Sequence, residues 1–269
     1  MEKLLKYCLS TLLLFLIVSC NTKEEKVEEA YRYGFSYYQG TPPHMNAFTY
    51  ALELDPDKAE TWRELSVTYL KRGIPHIWKD YYDEAVRRDS VIWQPWRGYL
   101  YLWFYRDYQK AIADFNASDT LTPNFIDAPQ GHSVDYWRGI AYLGLKDYQN
   151  SLLYFDKYIE TEIEESGEDW VEVTTFLYKG IAHYENNEPE KALAVLEKCI
   201  QYNSNKTADG KYYKALCLKD LGSIEDAIKV LEDAISDYKI GYYNERPYVE
   251  DIRQIYLEDL EILQQELTQ

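Results

Sequence analysis

The sequence YWRGIAYLGLKDYQNSLLYF, residues 136–155, repeats a pattern that the chain has already used 41 residues earlier. Residues 95–115 read PWRGYLYLWFYRDYQKAIADF, so both segments place Asp-Tyr-Gln after Trp-Arg-Gly. Their two glycines align with Gly180 and Ala215, and each of the four small residues follows an aromatic and then a basic residue. A pattern that recurs at this spacing is typical of stacked copies of one small structural unit.

A second column of small residues indicates that each unit is a pair of helices. The first column is Gly98, Gly139, Gly180 and Ala215, and the second, twelve or thirteen residues later, is Ala111, Ser151, Ala192 and Ala227. This spacing predicts two helices that are joined by a tight turn and cross closely at both columns. Asp107 and Asp147 stand where an N-cap is needed, and Pro189 suits a first helical position. In two of the second helices, starting at Tyr148 and at Ile224, apolar residues at i, i+4, i+7 and i+11 mark one helical face.

These features resemble the tetratricopeptide repeat, an antiparallel helix pair of about 34 residues. The resemblance covers residues 28–238; residues 59–73, AETWRELSVTYLKRG, look like its first helix, and residues 146–155, KDYQNSLLYF, like its second. It implies an all-α, right-handed superhelical solenoid of about five or six helix pairs, whose first helices line a concave groove. The sequence departs from an even period at two insertions, residues 120–133 and the acidic residues 160–170.

The ends of the chain differ from the repeats. Residues 239–269 are predicted to be a C-terminal capping helix with apolar residues on one side and acids on the other, because a stack of repeats leaves an apolar face to cover. At the other end, a positive start, a short apolar run and a small residue before Cys20 predict a signal peptide over residues 1–19. The run is too short to span a bilayer.

Residues 17–20, Ile-Val-Ser-Cys, resemble the lipobox of bacterial lipoproteins. That resemblance implies cleavage before Cys20, lipidation of its thiol and a short tether over residues 20–27, with an ordinary signal peptide and a chance cysteine as the alternative. Several acyl chains anchor a protein firmly to a membrane. We therefore predict a lipid-anchored protein of the cell envelope, at the outer membrane, facing either the periplasm or the exterior.

Composition and motifs argue against several classes of function. A net charge of -17 opposes binding to a phosphate backbone, so no nucleic-acid partner is expected. The sequence has no nucleophile elbow, no glycine-rich phosphate loop and no Cys-x-x-Cys motif, and we predict neither a cofactor nor catalytic residues. The four histidines, which are scattered without metal-ligand spacing, are His44, His76, His132 and His183. No metal site and no enzyme activity are therefore expected.

Cys199 and Cys217 are the only thiols left for a disulfide once Cys8 leaves with the signal and Cys20 carries lipid. A bridge between them is possible in an oxidising compartment, but two buried, unpaired cysteines in neighbouring helices are the preferred interpretation.

The aromatic and basic residues of the first helices are the candidate binding residues. By the family resemblance they face the groove, and Tyr and Trp give large contact areas at low entropic cost. The candidates are Tyr136, Trp137, Arg138, Tyr178, Lys179, Tyr184, Tyr212 and Tyr213. The basic column Arg97, Arg138, Lys179 and Lys214 could instead face an acidic ligand as a ladder, although ion pairs with neighbouring helices are the preferred interpretation.

The predicted function is that of a non-catalytic adaptor whose groove holds a protein or peptide. One alternative is a surface lipoprotein that binds a glycan or another nutrient through Trp137, Trp170 or the loop at residues 120–133. An enzyme built on the repeat scaffold is the least favoured alternative.

Overall fold

The computed structural model describes residues 22–269, which contain thirteen α-helices and no β-strand. The helices are α1 (Lys23–Phe35), α2 (Pro42–Leu54), α3 (Ala59–Lys71), α4 (Pro75–Arg88), α5 (Ser90–Leu100), α6 (Tyr108–Leu121), α7 (Val134–Gly144), α8 (Tyr148–Glu165), α9 (Val173–Glu185), α10 (Pro189–Tyr202), α11 (Ala208–Asp220), α12 (Ile224–Lys239) and α13 (Leu257–Thr268). The predicted signal peptide and Cys20 lie outside these residues. Within them, no helix has both the length and the apolar character needed to cross a membrane.

Consecutive helices pack as six hairpins, from α1–α2 to α11–α12, and α13 packs on α12. The prediction of an all-α fold with about five or six helix pairs is therefore confirmed. The chain divides between Ser90 and Val91 into two compact units. The first unit contains the first two hairpins, and the second contains the other four hairpins and α13.

The first small-residue column marks the place where the two helices of a hairpin cross. A Cβ atom on Gly139 would lie 2.5 Å from the ring of Phe155, and one on Gly180 would lie 2.7 Å from the side chain of Leu196. In four hairpins a fully buried side chain of the second helix, Phe48, Phe115, Phe155 or Leu196, lies against a glycine of the first helix. Tyr82 and Leu231 are also fully buried and occupy the corresponding sequence positions in the other two hairpins.

The second small-residue column supports the same crossing. In the α7–α8 hairpin, Ser151 is fully buried and its hydroxyl donates a hydrogen bond of 2.8 Å to the carbonyl oxygen of Gly139. The two columns therefore meet, as the spacing predicts.

A π-helical turn accounts for the extra residue between Gly98 and Ala111. The turn spans Tyr101–Tyr105 and directly continues α5. A π-turn accommodates one additional residue within a helix without breaking it. The second helix can therefore start in register although Gly98 and Ala111 are separated by one residue more than the corresponding pairs in the three later hairpins.

The hairpin turns share one backbone conformation. The residue before the second helix's N-cap has a positive φ angle in all six hairpins: Gly40, Gly73, Arg106, Lys146, Asn187 and Gly222. Glycine adopts this conformation freely, whereas other residues pay roughly 1–2 kcal/mol. Asp107 and Asp147 then cap their helices, since each carboxylate accepts a hydrogen bond of 3.2 Å from the backbone three residues later. The predicted turn chemistry is thus present at both positions.

The two insertions take different forms. Residues 122–133 form an irregular connection between α6 and α7 with one short 3-10 turn. The acidic insertion instead lengthens α8 to 18 residues, compared with 14 for α6 and for α10, before a 3-10 turn that ends at Trp170. Trp170 is 73% exposed.

The C-terminal region differs from the predicted capping helix over residues 239–269. Helix α13 begins only at Leu257, where Tyr256 and Asp259 form a reciprocal cap, and residues 240–256 are not helical. Ile252 and Ile255 are nevertheless buried. Their spacing suited one side of a helix, but an irregular segment can bury the same residues, and Pro247 disfavours a helix that continues from α12.

Substitution of Gly139 by Ala should reduce the free energy of unfolding by up to about 2 kcal/mol. Alanine improves helix propensity by about 1 kcal/mol, but forcing a methyl group against a buried ring costs about 1–3 kcal/mol. Denaturant titrations of Gly139→Ala should be compared in the native and the Phe155→Leu backgrounds. The cost should shrink where the smaller leucine leaves room; an equal cost in both backgrounds would show that the ring contact is not the cause.

Candidate functional site

The candidate site is a surface formed by first helices of the second unit together with the segment that covers it. We call residues 242–256 the strap, and we call the side of α5, α7, α9 and α11 that contacts it the first-helix face. The strap lies between α12 and α13 in sequence, has no regular secondary structure, and contacts all four first helices.

The start of the strap is held at the beginning of α11. The carbonyl oxygen of Tyr242 accepts a hydrogen bond of 2.7 Å from the backbone N–H of Ala208. Two residues later, the backbone N–H of Asn244 donates a hydrogen bond of 2.8 Å to Oδ2 of Asp209. Asp209 is only 3% exposed. These bonds fix the strap through its backbone.

Arg246 connects the middle of the strap to α5 and its π-turn. Its Nη2 donates a hydrogen bond of 2.7 Å to the hydroxyl of Tyr99, and its guanidinium lies 3.7 Å from the ring centroid of Trp103. A cation this close to a buried indole gains a cation–π attraction of about 1–2 kcal/mol. Nearby, the side chain of Arg106 donates a hydrogen bond to the carbonyl oxygen of Glu250.

The end of the strap is held on α7 and α9. Arg253 contacts both carboxylate oxygens of Glu185, the longer bond measuring 2.8 Å, and lies 3.4 Å from the carbonyl oxygen of Leu143. This two-point contact is the strong form of an arginine–carboxylate pair. The flanking Ile252 and Ile255 are 4% and 2% exposed. The strap therefore combines two charged contacts with two buried apolar side chains.

Most of the predicted groove residues do not line an open surface. The buried ones, each 8% exposed or less, are Tyr136, Trp137, Arg138, Tyr178 and Tyr213. Trp137 donates its indole hydrogen bond to the carbonyl oxygen of Pro129 at 2.9 Å, and the hydroxyl of Tyr178 lies 3.5 Å from the strap carboxylate of Asp251. The remaining candidates, Lys179, Tyr184 and Tyr212, are partly exposed. The expectation of an open aromatic groove is corrected here, because the repeats and the strap cover most of it.

The basic column consists of ion pairs. Each cation contacts an acidic residue on a second helix: Arg97 with Asp114, Arg138 with Asp119, Lys179 with Asp156, and Lys214 with Glu197. Arg138 is fully buried and also pairs with the buried Asp135. The four cations are therefore paired with acids of second helices and do not form a ladder for an acidic ligand.

Two carboxylates where the strap meets the first-helix face have raised pKa values, Asp209 on the face and Asp251 on the strap. Burial raises the pKa of Asp209 to about 6, with a partial offset from the Asn244 hydrogen bond and a further rise from the nearby Asp251. Burial also raises the pKa of Asp251, while Arg246 and Arg106 lower it. Asp209 therefore changes its charge in the mildly acidic range.

Other polar groups are arranged as structural elements. Cys199 and Cys217 are both buried, free thiols, and burial raises the pKa of each to about 12. His183 pairs with Glu188 at 2.7 Å. In the part of the chain from residue 22 onwards, no group of three or more His, Cys, Asp or Glu side chains could hold a metal ion.

Comparisons with solved structures and family models agree with this architecture. The family model of the anaphase-promoting complex, cyclosome, subunit 3 matches residues 145–234. The structure of YrrB, described as a TPR protein with an unusual peptide-binding site, has a TM-score of 0.53 at 17% identity, over 73% of this chain and 95% of that one. The chain has the tetratricopeptide-repeat fold. No curated protein sequence matches it well enough to count as a relative.

Two further tetratricopeptide-like structures show how far the likeness extends. PilW, a type IV pilus biogenesis factor, gives a TM-score of 0.62 at 13% identity, covering 82% of this chain and 96% of that one. A chain of the anaphase-promoting-complex assembly Cut9–Hcn1 gives 0.59 at 14% identity over 84% of this chain. This protein spans 39% of that longer chain. At these identities, the likeness establishes the fold.

Sequence reasoning missed the strap and its partners on the first-helix face. Asp209 and Glu185 are ordinary members of an acidic chain, and nothing in their spacing sets them apart. A signal was present in the last thirty residues, where Arg246 and Arg253 are the only cations among many acids. Two isolated cations in such a segment indicate specific acidic or aromatic partners.

Substitution of Asp209 by Asn should remove part of the pH dependence of stability. A carboxyl whose pKa rises from 3.8 in the unfolded chain to about 6 in the folded one stabilises the fold at low pH, and this contribution is lost as the pH rises through 6. Between pH 7.5 and 4.5 the native protein should therefore gain about 2 kcal/mol relative to Asp209→Asn. Urea titrations across this range measure the difference. The asparagine keeps an acceptor for Asn244, so parallel pH profiles would refute the assignment.

Proposed function

We propose that this protein is a lipid-anchored scaffold of the bacterial cell envelope that binds a protein partner through the first-helix face. The observation that carries this proposal is that the face already holds an irregular peptide segment, the protein's own strap. The strap backbone bonds to the backbone N–H of Ala208 and to the carboxylate of Asp209, and Trp103 and Glu185 contact its arginines. A surface with these contacts is suited to a peptide ligand.

The fold supports the same conclusion. Two of the similar structures are described by an interaction: one belongs to a protein assembly, and the other has a peptide-binding site. The described part of this chain places its polar residues in ion pairs, helix caps and strap contacts, which are structural uses of those groups. We therefore infer a binding role without catalysis and without a cofactor.

The anchor is proposed from the sequence. Cys20 follows Ile-Val-Ser and lies two residues before Thr22, the cap of α1. An acyl-modified Cys20 would therefore keep the first hairpin within a few ångströms of the membrane surface, since each extended residue spans about 3.5 Å. A partner of this scaffold would be met at that surface, and the outer membrane is the proposed location.

A glycan-binding role has less support than peptide binding. Trp137, one of the two tryptophans proposed for a sugar platform, is 1% exposed and packs inside the second unit. Trp170 is 73% exposed and is the remaining candidate of the two tryptophans. A sugar site would therefore have to form at the α8–α9 connection or at the loop of residues 120–133.

Position-specific photocrosslinking tests the peptide-binding role in cells. A photoreactive amino acid at Tyr184 or Tyr212, both partly exposed, should give a discrete protein adduct in the native host. The same group at Leu153, which is 58% exposed on α8, is the control and should not give that adduct. An adduct at Leu153 alone would place the interface on the second helices. No protein adduct at any position, together with sugar binding that Trp170→Ala abolishes, would favour the glycan role instead.

The Cys20→Ser variant tests the anchor. Removing the thiol removes the site of lipidation, so the protein should move from the membrane fraction to the soluble fraction of the envelope, and metabolic labelling with a fatty-acid analogue should be lost. Cys8→Ser is the matched control and should remain labelled and membrane-bound. A Cys20→Ser protein that stays in the membrane fraction would contradict lipid anchoring.

A further inference from the structure

The strap resembles a bound ligand in the way that it contacts the first-helix face. It crosses four first helices in an irregular conformation, and two of its non-glycine residues, Tyr248 and Arg253, have φ angles of 74° and 63°. Left-handed backbone at a non-glycine residue carries a conformational cost that the surrounding contacts must offset. The strap conformation is therefore imposed by its contacts with the face rather than by local preference.

Both ends of the strap are anchored independently of the face. Helix α12 precedes it and buries Leu231 and Ile235, while α13 follows it and buries Leu260 and Leu263 against the neighbouring helix. Residues 240–256 form the connection between these two helices. A connection of 17 residues can bow away from the face while α12 and α13 stay packed, since extended residues span about 3.3–3.6 Å each. Release of the strap does not require the helices to unfold.

The contacts of the strap are chemically selective. Its two cations enter two different environments: the aromatic pair Tyr99 and Trp103 for Arg246, and the Glu185 carboxylate for Arg253. The protein carries a net charge of -17, so a cationic ligand is also favoured at longer range. The face thus suits a chain segment with two arginines and an apolar residue directly before the second one.

We propose that the strap is an internal competitor for the first-helix face, and that the partner it excludes is a peptide segment with two arginines seven positions apart. This inference rests on the proposed peptide-binding function and specifies its ligand and its control. A tethered competitor acts at an effective concentration of about millimolar. Only molecules in which the strap has left the face can bind the partner. The partner's apparent affinity is therefore its intrinsic affinity multiplied by the fraction of such molecules.

A synthetic peptide of residues 243–256 with a fluorescent label tests the proposal by anisotropy on the full chain. The native protein should bind it weakly, because the internal strap competes. The Arg246→Ala/Arg253→Ala variant should bind it at least about tenfold more tightly, because its own strap has lost both charged contacts. A peptide with alanine at both arginine positions should not bind to either protein. The variant Lys191→Ala/Lys229→Ala removes two exposed positive charges elsewhere and should behave like the native protein.

Three results would overturn the proposal. A folded double-arginine variant that fails to bind the peptide, or that binds both peptides equally, shows that the face does not select arginines. Binding that appears only with a dimer in size-exclusion chromatography assigns the face to the strap of a second copy.

Hydrogen exchange of the native protein tests the proposal even if the double-arginine variant does not fold. The amides of Ala208 and Asn244, which bond across the contact between strap and face, should exchange by local opening and faster than the helical amides of α11. Exchange only through global unfolding would make the strap a permanent part of the fold.

Peptide binding and cellular crosslinking distinguish a failure of the competitor role from a failure of the scaffold role. A cellular adduct at Tyr184 or Tyr212 without peptide binding in the variant leaves the scaffold role intact and rejects the competitor. Peptide binding without any cellular adduct retains the competitor and rejects the cellular role.

Discussion

The close crossing of two helices at a small residue is the constraint on which the rest of the structure depends. In four of the six hairpins a large buried side chain, such as Phe155 or Leu196, presses against a glycine position where even a methyl group is too large. Protein interiors are packed densely enough that this contact tolerates little change in volume. The repeated small residues, the shared left-handed turn and the π-turn in α5 all serve to bring that crossing into register. The π-turn is informative because it shows that a repeat with an extra residue keeps the crossing and changes the helix instead.

The first-helix face belongs partly to the core and partly to the surface on which the strap lies. Tyr136, Trp137 and Arg138 are covered by the repeats themselves and belong to the interior. Tyr99 and Glu185 meet the strap, which uses hydrogen bonds, a cation–π contact and a carboxylate pair, the interactions by which proteins hold extended peptides. The strap therefore indicates which chemistry the face accepts. It also explains why a chain with so many acids keeps two arginines near its C-terminus, since each has a dedicated partner.

Charge is organised differently in the core and beneath the strap. Arg97, Arg138, Lys179 and Lys214 occupy one column and are all paired with acids of second helices. Such pairs hold adjacent helices in register, and a buried pair like that of Arg138 is costly to break on one side. Asp209 and Asp251 lie in a less balanced environment, where burial raises both pKa values. The strap is thus fastened partly through groups whose charge depends on pH.

The amino-acid sequence by itself determined the helix pairs, because the small residues, the N-caps and the helical apolar spacing are local signals that recur in each repeat. Residues such as Gly139, Asp107 and Asp147 could be assigned their structural roles without coordinates. Only the tertiary structure decided which aromatic residues are accessible and where the C-terminal segment lies. Ile252 and Ile255 have the spacing of a helical face, yet they belong to an irregular strap, because burial there depends on contacts with α7 and α9 that are about 70 to 110 residues away in sequence. Contacts at such separations leave no periodic signal along the chain. The repeats were therefore predictable, whereas the position of the strap on the first-helix face was not.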